Sequence, residues 1–452
     1  MIYKNKILLV STLALALQGA VLQAAVSPEE AARLGTTLTP IGAERAGNAD
    51  GTIPAWTGGL GDNFTGDRYQ DPYAGEQVLF TITAANAAQY RDRLTEGQIA
   101  LLNKYPDSYK MHVYPTHRSA AFPQRVYDVA KKNATQTTLA ENGGGLLNFE
   151  ETVPFAIPKS GVEVIWNHIT RYRGGSLERT IVQVPVHRNG NYTLVRFKER
   201  LVWPQYLADG FDAVKDDNIL NYFTQQVLAP TRLTGNVLLI HETLDQVKEP
   251  RKAWQYNAGQ RRVRRAPQVA FDAPGTAAEG LRTADNLDMY NGAPIRYDWN
   301  LIGKKELYIP YNSFKLVSRD LSYSDILQPG HLNSDLLRYE LHRVWVVEAT
   351  LREGERHIYA KRRFYIDEDS WQAAVVDHYD ARGELWRVGE AHAFQYRDAK
   401  VLWHVGEVLH DLLSGRYLVG SLTNEEKEGF KFGVSIKRNE FTTSALRRAG
   451  RR

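Results

Sequence analysis

The side chains that could do acid–base or metal chemistry are numerous in this chain but poorly clustered. Twelve histidines stand beside no cysteine at all, which excludes thiolate nucleophiles, thiolate metal sites and disulfides. No HExxH pair occurs, and no histidines sit with carboxylates at a tight ligand spacing. The densest local set is "DHYD", Asp377, His378 and Asp380. On a strand His378 and Asp380 would share a face and Asp377 would point away, so the set reads as a strand end entering a polar turn. His404 and His410, six apart in an expected strand, fall on one face but too far apart to share an ion. "GNADGT", with Asn48 and Asp50, lacks the later acids and the closing Glu of a calcium loop. A GxSxG elbow and a phosphate-binding glycine loop are also missing. No catalytic residue, metal or cofactor is therefore assigned.

Binding chemistry is better represented. "RKAWQYNAGQRRVRRAP", Arg251–Pro267, is dense in arginine, but its pattern is that of a hairpin. Lys252–Tyr256 reads as a strand with Trp254 and Tyr256 on one face, Asn257-Ala258-Gly259 as a turn, and Gln260–Arg265 as the return strand. In that strand Arg262 and Arg264 share one face while Arg261, Val263 and Arg265 share the other. Such patterning, in a chain with a formal net charge of only +4 over 452 residues, speaks against a nucleic-acid arm. The arginines either pair with sheet acids such as Glu242 or Glu249, or meet a carboxylate or phosphate headgroup at a cavity mouth. Trp254, Tyr256, Trp345 and Trp371 are the aromatic candidates for lining an apolar cavity, with Arg262 and Arg264 as headgroup contacts; ordinary strand packing competes for each of them.

The elements that must position these residues divide the chain. "MIYKNKILLVSTLALALQGAVLQAA" has the basic start, short apolar run and small-residue end of a secretory signal peptide, cut near Ala25. The protein is thus expected to be exported and periplasmic, and without a cysteine it cannot carry the lipid of a lipoprotein. From 26 to 150 the expected region is helix and loop: Ser27, Pro28 and Glu30 form a capping box, Ala84–Lys104 and Pro123–Leu139 are helical, and "ENGGG" is a flexible connection. From 151 to 440 an antiparallel meander is expected. Its clearest hairpin is 180–203, turning through a type I′ Asn189-Gly190, with Pro185 marking an edge or a bulge. Others turn at Glu353-Gly354 and near Arg382-Gly383. Residues 272–300 read as a long ordered loop with a short helix, and 441–452 as a basic, disordered tail.

Four stretches, "GNADGTIPAWTGGL", "RKAWQYNAGQRRVRRAP", "RYDWNLIGKKELYIPYN" and "RYELHRVWVVEATLREGERHIYAKRRFYIDEDSW", resemble the proteobacterial family of domain of unknown function 1329, over about residues 27 to 440. The basic hairpin also resembles that of the lipoprotein carriers LolA and LolB. The resemblance implies an α+β, β-dominated fold: a large curved antiparallel sheet, an unclosed barrel, with helices packed on its concave face over an apolar cavity. It further implies a hydrophobic or lipid-like ligand and, as partners in envelope transport, an inner-membrane exporter of the resistance–nodulation–division type and an outer-membrane protein. The first functional reading is a periplasmic carrier or chaperone for such a ligand, the second a non-enzymatic adaptor between those membrane components, the third a hydrolase with a site assembled from distant residues.

Overall fold

The structure is a computed structural model describing residues 25–61 and 66–450. The expected signal segment lies outside the described residues except for Ala25. Two short strands, β1 (Phe80–Ile82) and β2 (Met111–Val113), pair antiparallel, and β3 (Thr138–Leu139) and β4 (Leu146–Leu147) form a separate ribbon. A first meander runs through β5 (Ser176–Val186), β6 (Val195–Val202), β7 (Ile219–Ala229), β8 (Val237–Thr243), β9 (Lys252–Asn257) and β10 (Arg262–Arg265). A second runs through β11 (Tyr297–Pro310), β12 (Tyr339–Leu351), β13 (Lys361–Asp367), β14 (Ala373–Tyr379), β15 (Leu385–Tyr396), β16 (Val401–Asp411) and β17 (Tyr417–Leu422).

The last strand of the second meander, β17, pairs with the first strand of the first, β5. Both meanders therefore belong to one 16-stranded sheet, to which β18 (Phe430–Phe432) adds beside β5 and β2 adds through a parallel bridge to β12. Because β10 and β11 do not pair with each other, the sheet stays unclosed.

Strand alternation gives the sheet two faces, and ladder partners share one. The inner face carries Arg179, Glu199, Leu201, Phe223 and Ile240 in the first meander and Val347, Phe364, His378 and Gly389 in the second. Against it lie helix α4, spanning Gly161–Thr170, and the 266–296 loop. Gly161 approaches Trp299 and Val347 so closely that a Cβ would meet the Trp299 carbonyl at 2.8 Å. In the loop, ordered as expected and holding 3₁₀ turns at Ala284–Asn286 and Pro294–Arg296, Met289 lies against Gly389.

Different segments cover different parts of the outer face. Helix Glu96–Lys104 lies on β14 and β15. The helix Thr443–Gly450, which the sequence reading left as disordered tail, lies on β8, β9 and β10. Leu446 supplies the reason: it is buried with Val202, Tyr222, Val237, Leu239 and Tyr256 in a second core. Among the described helices, α4 thus lies on the inner face, while Glu96–Lys104 and Thr443–Gly450 sit on the outer.

Local predictions were met or corrected for identifiable reasons. Ser27 accepts from the Glu30 amide at 3.2 Å and the Glu30 carboxylate accepts from the Ser27 amide at 3.1 Å, closing the expected capping box. At the 187–191 turn only Gly190 has positive φ, so this is not a type I′ turn, which needs two such residues. Pro185 is not in an edge strand, since β5 lies between β17 and β6. It is tolerated because the β6 ladder ends at Gln183–Val195, leaving no partner on that side for a Pro nitrogen. His404 and His410 are not on one face: the β15–β16 register skips Val405, and that bulge turns His404 to Asp288 while His410 pairs with outward Val388.

Candidate functional site

The site grows from the C-terminus of α4. Its last turn leads into "TRYRGG", and both arginines turn back onto the helix end: Arg171 Nη1 donates to the His168 carbonyl and Arg173 Nη2 to that of Ile169, each at 2.7 Å. Cations satisfying the last carbonyls are favoured there by the helix dipole. Asp288 enters from the loop in a left-handed conformation, φ 59°. It accepts from Arg171 Nη2 and Arg173 Nη1, each at 2.5 Å. The Trp403 Nε1 donates to the same carboxylate at 2.9 Å, and His404 Nε2 lies 3.0 Å from it. Burial opposes ionisation, but Arg171 and Arg173 hold Asp288 well below the usual carboxylate range. His168, between Trp371 and Asp288 carbonyls, is pushed down to about 3 by burial and stays neutral.

Across the sheet, Arg179 of β5 donates through Nε to Glu199 of β6 at 2.6 Å, and Gln225 of β7 donates to the same carboxylate at 2.7 Å. The Arg179 guanidinium lies 4.9 Å from the Trp403 ring centre, and that of Arg173 lies 4.9 Å from Trp203. Between α4, the loop and strands β5–β8 remains a cavity of about 60 Å³. Ile169, Leu201, Leu220, Phe223 and Ile240 form its apolar wall, and Arg173, Arg179 and Asp288 its charged end. That is room for a few waters, well below the roughly 300 Å³ of an ordinary ligand pocket.

The expected site residues are not brought together. Trp254 and Tyr256 point to the outer face, where Tyr256 is buried under the C-terminal helix and His241 packs on Trp254 at 4.9 Å. Arg262 and Arg264 are on the opposite face from them, because the ladder matches Arg264 with Gln255 and Arg262 with Asn257. Both are exposed on β10 and make no hydrogen bond or ion pair with a described residue. The sheet acids are indeed paired, but by the start of the hairpin: Arg251 with Glu242 and Lys252 with Glu249, both at 2.8 Å. Trp345 and Trp371 stack with ring centres 6.3 Å apart; Trp371 is fully buried, donates to the Ile41 carbonyl and does not reach the cavity. Arg171, Arg173, Arg179 and Asp288 were missed. The signal for the first three was present in "TRYRGGSLER", where a helix end and a strand start are arginine-marked. Asp288 had none, since only the loop's path brings it there.

A second cluster is acidic. His342, Asp367 and Asp369 offer ligand atoms within 4.8 Å of one another. Arg118 binds both Asp369 oxygens, at 2.7 and 2.8 Å, and so already fills the role of the cation there. "DHYD" divides as expected: His378 meets Asn286 at 3.0 Å on the inner face, and Asp377 lies under Gly97 on the outer. Among the described residues no helix is long and apolar enough to cross a membrane.

Structures similar to this chain include a DUF1329 family protein from Desulfovibrio piger (13% identity, 60% of this chain and 92% of that one, TM-score 0.41) and the LolA superfamily protein NE2245 from Nitrosomonas europaea (10% identity, 64% and 100%, TM-score 0.39). The fold as described rests on the strand ladders themselves. In sequence, the chain is 60% identical over 451 residues, 99% of each chain, to "Uncharacterized protein PA3922" of Pseudomonas aeruginosa. The profile of the family described as "Protein of unknown function (DUF1329)" matches residues 81–447, and the chain belongs to that family.

Proposed function

We propose that the protein is a non-enzymatic periplasmic carrier or chaperone that holds a hydrophobic or lipid-like ligand between the inner face of its sheet and α4. The observation that supports this reading is the amphipathic cavity: part of its lining is aliphatic and aromatic, part carries guanidinium groups, and it lies between sheet, helix and loop. Binding sites for amphiphiles have this division. At about 60 Å³ the cavity is too small for such a ligand, so loading requires the wall to part. In the adaptor reading the packed interior is simply core. Its counterpart would be a large exposed apolar patch.

The test is native mass spectrometry of protein purified gently from periplasm, with analysis of its extracted lipids. A stoichiometric hydrophobic species supports the carrier and gives its cargo class. A mass that stays ligand-free after incubation with envelope lipids ends the carrier reading, and pull-downs for an exporter or outer-membrane partner would then test the adaptor.

A further inference from the structure

The charge buried around the cavity does not balance. Arg171, Arg173, Arg179 and Arg282 are each more than nine-tenths buried, and the carboxylates buried with them are Asp288, Glu199 and Glu407. Glu242, also on the wall, is matched by Arg251, and the neighbouring histidines contribute no negative charge. One guanidinium is in surplus. An unmatched buried charge is costly, and among the described residues buried at the cavity no further carboxylate compensates for it.

Donors are in surplus as well. Arg173 Nε and Arg179 Nη1 are buried without a hydrogen-bond partner, and both residues line the cavity. Asp288 cannot take them, since its two oxygens already receive Arg171, Arg173, Trp403 and His404. Burial pushes the Arg173 guanidinium down to about 10, with Arg171 and Arg179 acting the same way against the pull of Asp288. The apolar wall begins beside these donors, at Leu201, Phe223 and Ile240.

We propose that this surplus cation is the seat of an oxyanion: the ligand is an anionic amphiphile whose carboxylate or phosphate head accepts from Arg173 Nε and Arg179 Nη1 while its chain follows the Leu201–Phe223–Ile240 wall. The proposal rests on the carrier reading and narrows it to a class of cargo. It also moves the headgroup contact from the exposed Arg262 and Arg264 to the buried end of the sheet. Charge-assisted hydrogen bonds in a dry site are the strong ones, so a neutral amphiphile of the same length should be a poor substitute.

Binding of palmitate, hexadecanol and inorganic phosphate to the delipidated full-length exported protein would be measured by calorimetry and thermal shift. The same probes would be applied to Arg173→Gln and Arg173→Lys. The variant Arg173→Gln leaves Arg171 to match Asp288 one to one, so the fold is expected to persist. The expected result is a preference for palmitate over hexadecanol of at least about tenfold, lost in Arg173→Gln and largely kept in Arg173→Lys. Equal binding of palmitate and hexadecanol by the wild type and both variants overturns the proposal and leaves the carrier standing. Protection by phosphate alone, abolished in Arg173→Gln, upholds the oxyanion seat and overturns the amphiphile. No binding of any probe overturns both. Should Arg173→Gln fail to fold, the wild-type comparison of palmitate with hexadecanol still decides.

Discussion

The two meanders of the sheet are built to different specifications. Strands β14, β16 and β17 are buried at every position, with helix Glu96–Lys104 against β14 on one face and the 266–296 loop on the other, where Asn286 meets His378 and Asp288 meets Trp403 and His404. Strands β9 and β10 show the opposite: two of the six residues of β9 and none of β10 are buried, and a single short helix, Thr443–Gly450, covers the outer face there. The first arrangement is a scaffold whose polar groups must all find partners inside. The second leaves the far edge of the sheet, next to the cavity-lining β5–β8, held from outside by a few apolar contacts. If a ligand enters, this edge is the side with the lower cost of opening.

The largest effect is expected where the two meanders meet. Asp288→Asn removes the carboxylate that matches Arg171 and Arg173, and leaving those charges buried should cost about 3–5 kcal/mol in urea unfolding. An effect near zero would mean that the two meanders are not tied through this residue.

Next, Leu446→Ala should cost about 2–3 kcal/mol, with a local signature. Hydrogen exchange should accelerate in 237–265 and remain unchanged in 373–411. Uniform acceleration would make the sheet one cooperative unit and remove the contrast.

A pH dependence belongs to the scaffold half. Burial lifts Asp377 and Glu390 each to about 7, against donors that include the Gly97 amide for the first and Gln98 for the second. Between the unfolded value of about 4 and about 7, the folded protein holds protons the unfolded chain has released. These two groups should therefore contribute a stability that falls as pH rises through that window, while buried histidines such as His168, held low, act the other way. The wild-type urea midpoint should fall relative to that of the double variant Asp377→Asn, Glu390→Gln between about pH 5 and pH 7.5. A difference between the two proteins that stays constant across that range would contradict the assignment.

The smallest effect on folding is expected at Arg262 and Arg264. Their alanine variants should leave the thermal midpoint unchanged, since neither side chain has a partner among the described residues. Valine at both positions should instead promote self-association, visible by light scattering, because charged side chains on an exposed edge strand block pairing with a second chain. Loss of ligand in the alanine variants at unchanged stability would restore the headgroup role first read for them.

Local rules reached far into this fold. Capping chemistry placed the helix start at Ser27, alternation placed the hairpins, and the Gly and Asp content of 272–300 marked an ordered loop, because each depends on neighbours a few residues apart. The candidate site was less legible. The densest arginine run drew the reading to 251–267, yet density reflects an edge strand's need for charge. The functional-looking arginines sit two to eight residues apart at the join of α4 and β5, and take their meaning from Asp288, more than a hundred residues away. The tail shows the same limit: its basic residues suggested disorder, and one leucine on a four-residue period was enough to order it once β8–β10 offered a surface.

By itself the sequence determined strand periodicity and the exclusion of thiol chemistry, and set the expectation of export: alternation, the lack of cysteine and the composition of the first residues are properties of the chain read in order. Tertiary structure alone decided which faces those strands present, which arginines are buried, and that the last strand of one meander closes on the first of the other. A one-residue bulge, as at Val405, is invisible in composition yet reverses the face of everything beyond it. A buried charge acquires its function only from the partners the fold supplies or withholds.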